Sequence, residues 1–513
     1  MNNISDIIVL GGGSSGWMTA STLIKSFPNK KITVIESPND PIIGVGESTL
    51  QPIRGWIKYL GIDEKDFLKH TDGSYKLSIK FTDFYEKNTY FHYPFGKIDV
   101  NNNFSGINDW WFKKILNPNT KNSDYADCIF PQMALINENK IYSEIDNNID
   151  FKLNRDSAFH FDAIKFGQWL KNNYCIPKGV NYIKEDITLI EKDENGIKCL
   201  NKKYKADLYV DCTGFKSLLL DKTLKEEFIS FNDLLPNNSA WATRIPYTDI
   251  KKQLVSYTNC TAIENGWVWN IPLWSRIGTG YVYSDKFVSD ETALCEFKKH
   301  LKMNTDNLEF KKIKMRVGIH KKLWVKNVVA IGLSAGFIEP LESNGLFTVH
   351  EFLFHLVRNL NKNKISQFDK DNFNYCCRQI FQNFAEFVAL HYALSQRDDT
   401  EYWKNNLNKE WSKTLLERKC VLTNGIDEAV VQRNFNFEFD KNIGLHCIAA
   451  GMNWQPTDLY SLIKYNELDE NEWLELFKKT TLNLDIKKTK WKEYVKNKPV
   501  LYDFLKNNIY DKK

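Results

Sequence analysis

Ile7-Ile8-Val9-Leu10-Gly11-Gly12-Gly13-Ser14-Ser15-Gly16-Trp17 reads as a short buried strand running into a glycine turn that opens a helix. Gly11 suits the tight turn out of the strand, Gly13 lets the backbone approach a pyrophosphate, and Gly16 lets helix and strand pack closely. Apolar spacing from Trp17 to Phe27 predicts the helix, Pro28-Asn29 its end, and Lys31-Ile32-Thr33-Val34-Ile35-Glu36 a second strand. The helix start at Ser14-Ser15 presents free N–H groups and a positive dipole end to phosphates. Glu36 ends the second strand about 20 residues on, where an acid can bind a ribose hydroxyl. A lone GxGxxG is weak, and a glycine turn without a ligand is the bland alternative. Strand, helix, second strand and terminal acid together point to dinucleotide binding.

Working outward, strand-like runs recur at Ala206–Asp211 and Val328–Gly332, so the sheet is assembled from segments far apart in sequence. Asp211-Cys212-Thr213-Gly214 closes one of them with a small-residue turn, and Ala330-Ile331-Gly332-Leu333-Ser334-Ala335-Gly336 closes the other. Beyond Asn344 the pattern becomes helical, with amphipathic stretches at Val349–Leu360, Phe373–Leu394 and, shorter, Trp473–Lys478. The expected division is therefore a catalytic domain over 1–360, with a discontinuous sheet and inserted segments, and a mostly helical subdomain over 361–513.

The chain has 513 residues, 42% hydrophobic and 14% aromatic, which is the composition of a large globular protein. The net charge of +5 comes without a dense basic tract, so nucleic acid is not an expected partner. No apolar run reaches membrane-spanning length, no signal peptide is evident, and the ten cysteines lack paired spacing. A soluble, cytoplasmic protein with reduced thiols is expected, and His92, His391 and His446 show no metal-ligand spacing.

Further motifs sharpen this. Gly44-Val45-Gly46-Glu47-Ser48-Thr49, Phe159-His160-Phe161-Asp162-Ala163, Gly266-Trp267-Val268-Trp269-Asn270-Ile271-Pro272-Leu273 and Gly336-Phe337-Ile338-Glu339-Pro340-Leu341-Glu342-Ser343 occur in that order. With the glycine clamp, they resemble the flavin-dependent tryptophan halogenase family, most clearly up to about Trp403. The resemblance implies an α/β fold: an FAD-binding, Rossmann-like monooxygenase/halogenase fold with a mostly helical C-terminal subdomain. It implies FAD, supplied reduced as FADH2 by a separate NAD(P)H flavin reductase, with O2 and a halide as co-substrates. Gly11, Gly13, Ser14, Ser15, Gly16, Glu36, Gly46, Glu47, Ser48, Gly332 and Leu333 would bind the cofactor.

By the same resemblance, halide oxidation yields a hypohalous acid that travels to a lysine beside the substrate. Lys80, in Ile79-Lys80-Phe81, fits the family context better than its neighbour Lys76. Glu342 would stabilise the cationic intermediate of aromatic substitution or take its proton, and Ser343 would help position the halogenating species. The backbone amides of Asn344 and Gly345 match the halide-binding turn. Many relatives carry Thr at the Asn344 position, so bromide or iodide should serve at least as well as chloride. Trp267, Trp269, Ile271 and Pro272 would shield the flavin from the organic substrate. His160 and Asp162 are expected to serve structure.

The expected substrate is a small electron-rich aromatic or heteroaromatic, with Trp454 and Tyr460 in its wall, and self-association into a homo-oligomer is left open. A flavin-dependent aromatic monooxygenase that hydroxylates instead is the rival enzyme class. A flavoprotein reduced to a binding module is the rival outside catalysis.

Overall fold

The computed structural model describes residues 4–39, 44, 46–96, 106–145, 148–362, 364–411, 415–416, 443–453 and 469–511. Val45, Trp454 and Tyr460 lie outside the described residues. Compactness divides the chain into two interleaved units, one built from 1–74, 159–242 and 312–385, the other from 75–158, 243–311 and 386–513. The boundary does not fall at 360/361: the helix Gln367–Ala393 begins in the first unit and ends in the second. A change from strand-rich to helix-rich sequence marks composition, whereas returning segments that pack together define a compact unit.

The first unit carries a six-stranded sheet in the order Trp324–Val325, Val328–Ala330, Leu208–Asp211, Asp6–Leu10, Lys31–Glu36, Asn181–Lys184. The opening strand lies near the middle, parallel to both neighbours: Val9 pairs with Val34 on one side and Val210 on the other. Strands buried on both faces read as unbroken apolar runs, and Ile7 to Leu10 are all buried. The helix Ser14–Ser26 follows, and the helix Gly345–Leu360 packs against it. Asp162 caps the helix Ala163–Trp169, accepting from the Ile164 and Lys165 N–H groups at 2.9 Å, which is the structural role expected of it.

The second unit contains the consecutive strands Ile277–Tyr283, Gly266–Pro272, Tyr257–Ile263, Ser78–Thr82 and Tyr90–Pro94. Laterally paired residues share a face of a sheet. One row runs Lys80–Asn259–Asn270–Thr279 and the next Phe81–Cys260–Trp269–Gly280, so the two rows point to opposite sides. Ile79, Phe81, Thr258, Cys260, Trp267 and Trp269 are buried on one face, while Lys80, Thr82, Tyr257, Asn259 and Asn270 are half-buried on the other.

The C-terminal part of this unit is helical. Glu470–Val495 is one helix, far longer than the Trp473–Lys478 stretch expected. Its buried residues Trp473, Phe477, Thr480, Leu484, Trp491 and Val495 follow a 3–4 spacing. Lys488 interrupts that apolar series and pairs with Asp124 at 2.6 Å, while Leu482 and Ile486 stand exposed; both features blur the pattern in sequence. No described helix is long and apolar enough to cross a membrane, and all nine described cysteines are free.

Candidate active site

In the first unit the glycine turn divides into packing positions and open positions. Gly11 has φ +116°, and a Cβ there would collide with the Cys212 carbonyl. One at Gly16 would collide with the Gly11 carbonyl oxygen, so helix and strand meet without a side chain between them. Gly12, not singled out in the sequence, packs against the Glu36 side chain. Gly13 is different: it precedes the helix with extended backbone, and nothing lies within 4 Å of its Cβ position. The helix start has no side-chain cap, which leaves its N–H groups for an anion.

Two of the assigned residues also serve the protein itself. The Ser14 hydroxyl donates to the Ala163 carbonyl at 2.9 Å. Glu36 ends its strand 3.4 Å from the Lys171 ammonium, which also lies over the Tyr182 ring. Gly332, at φ +72°, brings the turn with Leu333 onto the helix start, because a Cβ there would sit 2.7 Å from the Ser15 Cβ. Gly46, Gly214 and Gly345 have the same open surroundings as Gly13. Buried Asp211 ties the Thr213 turn down, accepting from the Thr213 amide at 3.1 Å and the Leu219 amide at 2.7 Å. A strip of open backbone beside an uncapped helix, with a carboxylate at the next strand end, fits the phosphates and ribose of FAD.

Two distant segments meet in this unit. The Glu47 carbonyl accepts from the Phe161 amide at 2.9 Å, and Thr49 exchanges bonds with Phe159, which fixes the Gly46–Ser48 loop. The Ser343 hydroxyl then donates to the Ser48 hydroxyl at 3.0 Å. Ser343 adopts φ +58° after the short turn Pro340–Glu342, and Glu342 is fully buried. Asn344 precedes the helix Gly345–Leu360 without capping it; its side chain reaches back toward the Glu339 carbonyl at 3.5 Å. The Gly345 N–H is one of the helix's free first-turn donors, and Gly345 is exposed. This is an anion-binding geometry made of backbone.

In the second unit the structure separates the two candidate lysines. Lys80 is half-buried, its ammonium 4.3 Å from the centre of the exposed Tyr90 ring and 5.9 Å from that of Tyr257. Burial pushes the Lys80 ammonium pKa down. Burial, reinforced by Lys80, pushes His92 down to about 3, so that imidazole is neutral and bonded to the Ser78 hydroxyl at 3.0 Å. Lys76 is 0% exposed, with its ammonium 5.0 Å from the centre of the Phe95 ring.

Trp267 and Trp269 lie side by side, ring centres 6.2 Å apart, buried on the sheet face away from Lys80. Ile271 shares their face and Pro272 does not. The sheet thus keeps the tryptophans together and sets Lys80 apart from them. The Ile-Lys-Phe context identified Lys80 without revealing that its strand turns it toward the half-exposed side. Nothing in the local sequence announces that Lys76 is the dry one.

The family model for tryptophan halogenases matches residues 6–466. Tryptophan 6-halogenase ThaL of Streptomyces albogriseolus is 32% identical across 98% of each chain. Among solved structures, apo VirX1 is 36% identical with a TM-score of 0.89, covering 99% of this chain and 100% of that one. The tryptophan 6-halogenase SttH from Streptomyces toxytricini is 28% identical with a TM-score of 0.84, covering 98% and 99%. The fold is that of a flavin-dependent halogenase, an FAD-linked oxidoreductase. The chain belongs to the tryptophan halogenase family. The likeness runs well past Trp403, to residue 466 in the family model and across 98% of this chain against ThaL, farther than the short motifs reveal.

Proposed function

We propose that this chain halogenates a small electron-rich aromatic, oxidising a halide to hypohalous acid and passing it to a buried lysine beside the substrate. The observation that supports this reading is the hydrogen bond from Ser343 to Ser48, which ties the Gly46–Ser48 loop to the turn before the helix Gly345–Leu360 within one unit. When bound, FADH2 supplies, with O2, the oxidising power for the halide. The Gly345 N–H and its neighbour hold the halide through backbone, so replacing Thr by Asn344 leaves the anion site intact and changes its shape. Bromide and iodide should therefore be used at least as well as chloride. Glu342, dry and fixed beside this turn, takes the ring proton or steadies the ring cation. Only one dinucleotide clamp is present in the sequence, so a separate flavin reductase supplies FADH2.

The relay amine must sit where water does not compete for the halogen. Lys76 meets that requirement better than Lys80, and the role assigned to Lys80 from sequence moves to Lys76. The two tryptophan 6-halogenases above support an aromatic substrate of indole type. Lys76→Ala should abolish halogenation and keep FAD binding, whereas Lys80→Ala should retain most activity. Chlorinated, brominated and iodinated product from an activated indole, measured by mass spectrometry, reads both. Full activity in Lys76→Ala would overturn the relay, and loss confined to Lys80→Ala would return the role to Lys80. Hydroxylated product without any halide requirement would favour the monooxygenase reading.

A further inference from the structure

A second polar cluster lies in the unit that holds Lys76. Asp109, in the first turn of the helix Gly106–Leu116, is 6% exposed, and its Oδ1 has no hydrogen-bond partner among the described residues. Beside it the Trp110 indole N–H and the Tyr125 hydroxyl are buried and equally without partners among the described residues. The Trp110 and Tyr125 rings meet edge to face at 5.8 Å. Tyr125 lies on the helix Asp124–Ile129, close enough to Asp109 and Cys447 that both act on its phenol. Cys447 belongs to the helix Ile443–Gly451, whose His446 Nε2 also lacks a partner among the described residues. Two helices thus bring together an acceptor carboxylate, a phenol and an indole N–H, and a third helix reaches the phenol through Cys447; none of the three groups is satisfied among the described residues. Native interiors rarely leave such groups unmet, and where they do a ligand or water is the usual reason.

The charges nearby are already committed. Lys113 pairs with Asp124 at 2.8 Å and with Asp485 at 2.6 Å, and Lys488 takes the other Asp124 oxygen. Lys114 bonds to Asn122 and Asn453 and lies over the Trp110 ring. Burial pushes His446 down to about 4, so it is neutral. Among the described residues the cation acting on Asp109 is Lys487, and it does not offset burial, which pushes the Asp109 carboxyl up to about 7. A first-turn acid on a helix is commonplace. That explains why Asp109 is tolerated there, not why Trp110 and Tyr125 are left unmet around it.

The cluster is joined to the Lys76 wall. Lys76 lies over Phe95, Phe95 meets Tyr93 at 5.9 Å, and Gly444 of the His446 helix packs on the Tyr93 ring. We propose that Asp109, with Tyr125 and Trp110 beside it, is a specificity site that receives the ammonium of an aromatic substrate carrying a basic side arm. The site builds on the proposed aromatic halogenation by naming the class of aromatic, and it can be tested without turnover.

The probes are tryptamine, neutral indole and indole-3-propionate, titrated calorimetrically into the full-length FAD-loaded protein. Tryptamine should bind at least about tenfold more tightly than indole, the effect of one hydrogen bond to a charged group. Its binding at neutral pH should release a proton, seen by comparing buffers of different ionisation enthalpy, because the ammonium displaces the proton that Asp109 partly holds. Asp109→Asn should erase both the preference and the proton release and leave indole binding unchanged. Tyr125→Phe should weaken tryptamine alone, and it carries the test if Asp109→Asn does not fold. Equal binding of tryptamine and indole by the wild type, as for a site holding only water, would overturn the proposal. So would a preference for the propionate, or equal weakening of all three probes by Asp109→Asn. A protein that prefers tryptamine in this way yet transfers no halogen would sink the proposed function and leave this site standing.

Discussion

A single carbon separates two kinds of glycine in the same turn. At Gly16 a methyl would meet the Gly11 carbonyl, while at Gly13 it would enter open space, which we propose receives the cofactor phosphates. Gly16→Ala should therefore lower stability by about 1–3 kcal/mol through overpacking, and FAD binding with it. Gly13→Ala should leave the melting temperature nearly unchanged and still weaken FAD binding, because the methyl occupies the cradle. Melting curves beside flavin fluorescence titrations distinguish the two, and a large loss of stability in Gly13→Ala would contradict the open cradle. Glu342 is a further case: Glu342→Gln keeps the shape and removes the charge, so single-turnover halogenation should slow by roughly a hundredfold or more with FAD affinity unchanged. A variant that turns over like wild type would remove Glu342 from the chemistry.

The long helix Glu470–Val495 is held to the helices Gly106–Leu116 and Asp124–Ile129 by a charge cluster as well as by rings. Phe112 stacks on Phe477 at 4.3 Å, and Asp124 accepts from both Lys113 and Lys488. Burial alone would push the Asp124 carboxyl up, but the two ammonium groups outweigh it and hold the pKa below the ordinary carboxylate value. A lowered folded pKa means stabilisation that is complete above the unfolded value, about 4, and lost as pH falls through the folded one. Asp124→Asn should cost on the order of 2 kcal/mol at neutral pH, since it removes a charge-assisted bond from each lysine and leaves Lys113 with Asp485 and Lys488 with Asp127. The gap between variant and wild type should close in strong acid, and a pH-independent gap in melting temperature would show that packing alone is involved. The start of this helix carries a signal that an expectation beginning at Trp473 passes over: Asp469 and Glu472 form a capping box. Its length was masked because Lys488 sits among the apolar positions and is satisfied by acids some 360 residues away in the chain. The opening strand–helix–strand was readable because neighbours in sequence are neighbours in space. Lys76 and Lys80 were hard to rank because the burial of Lys80 is set by strands at Tyr90 and Tyr257, while Lys76 ends a separate short strand, Ser74–Lys76, and local context contains neither setting.

At the scale of the molecule, each compact unit is made of three returning segments. Ending the chain at residue 360 removes part of one unit and the whole last segment of the other. Such a fragment should fail to hold FAD even though every clamp residue remains, as size-exclusion chromatography with flavin absorbance would reveal. A soluble fragment 1–360 that binds FAD normally would restore the boundary expected from composition. The same interleaving sets an order of events at the ribosome. The first unit has its last segment once residue 385 has emerged, with residues 386–513 still to be synthesised. At bacterial or eukaryotic rates that is on the order of ten seconds, long compared with most domain folding. If the first unit folds at that point, the nascent chain can capture flavin before the lysine-bearing unit is finished, and the supply of FAD during translation would then help set how much holoenzyme a cell obtains.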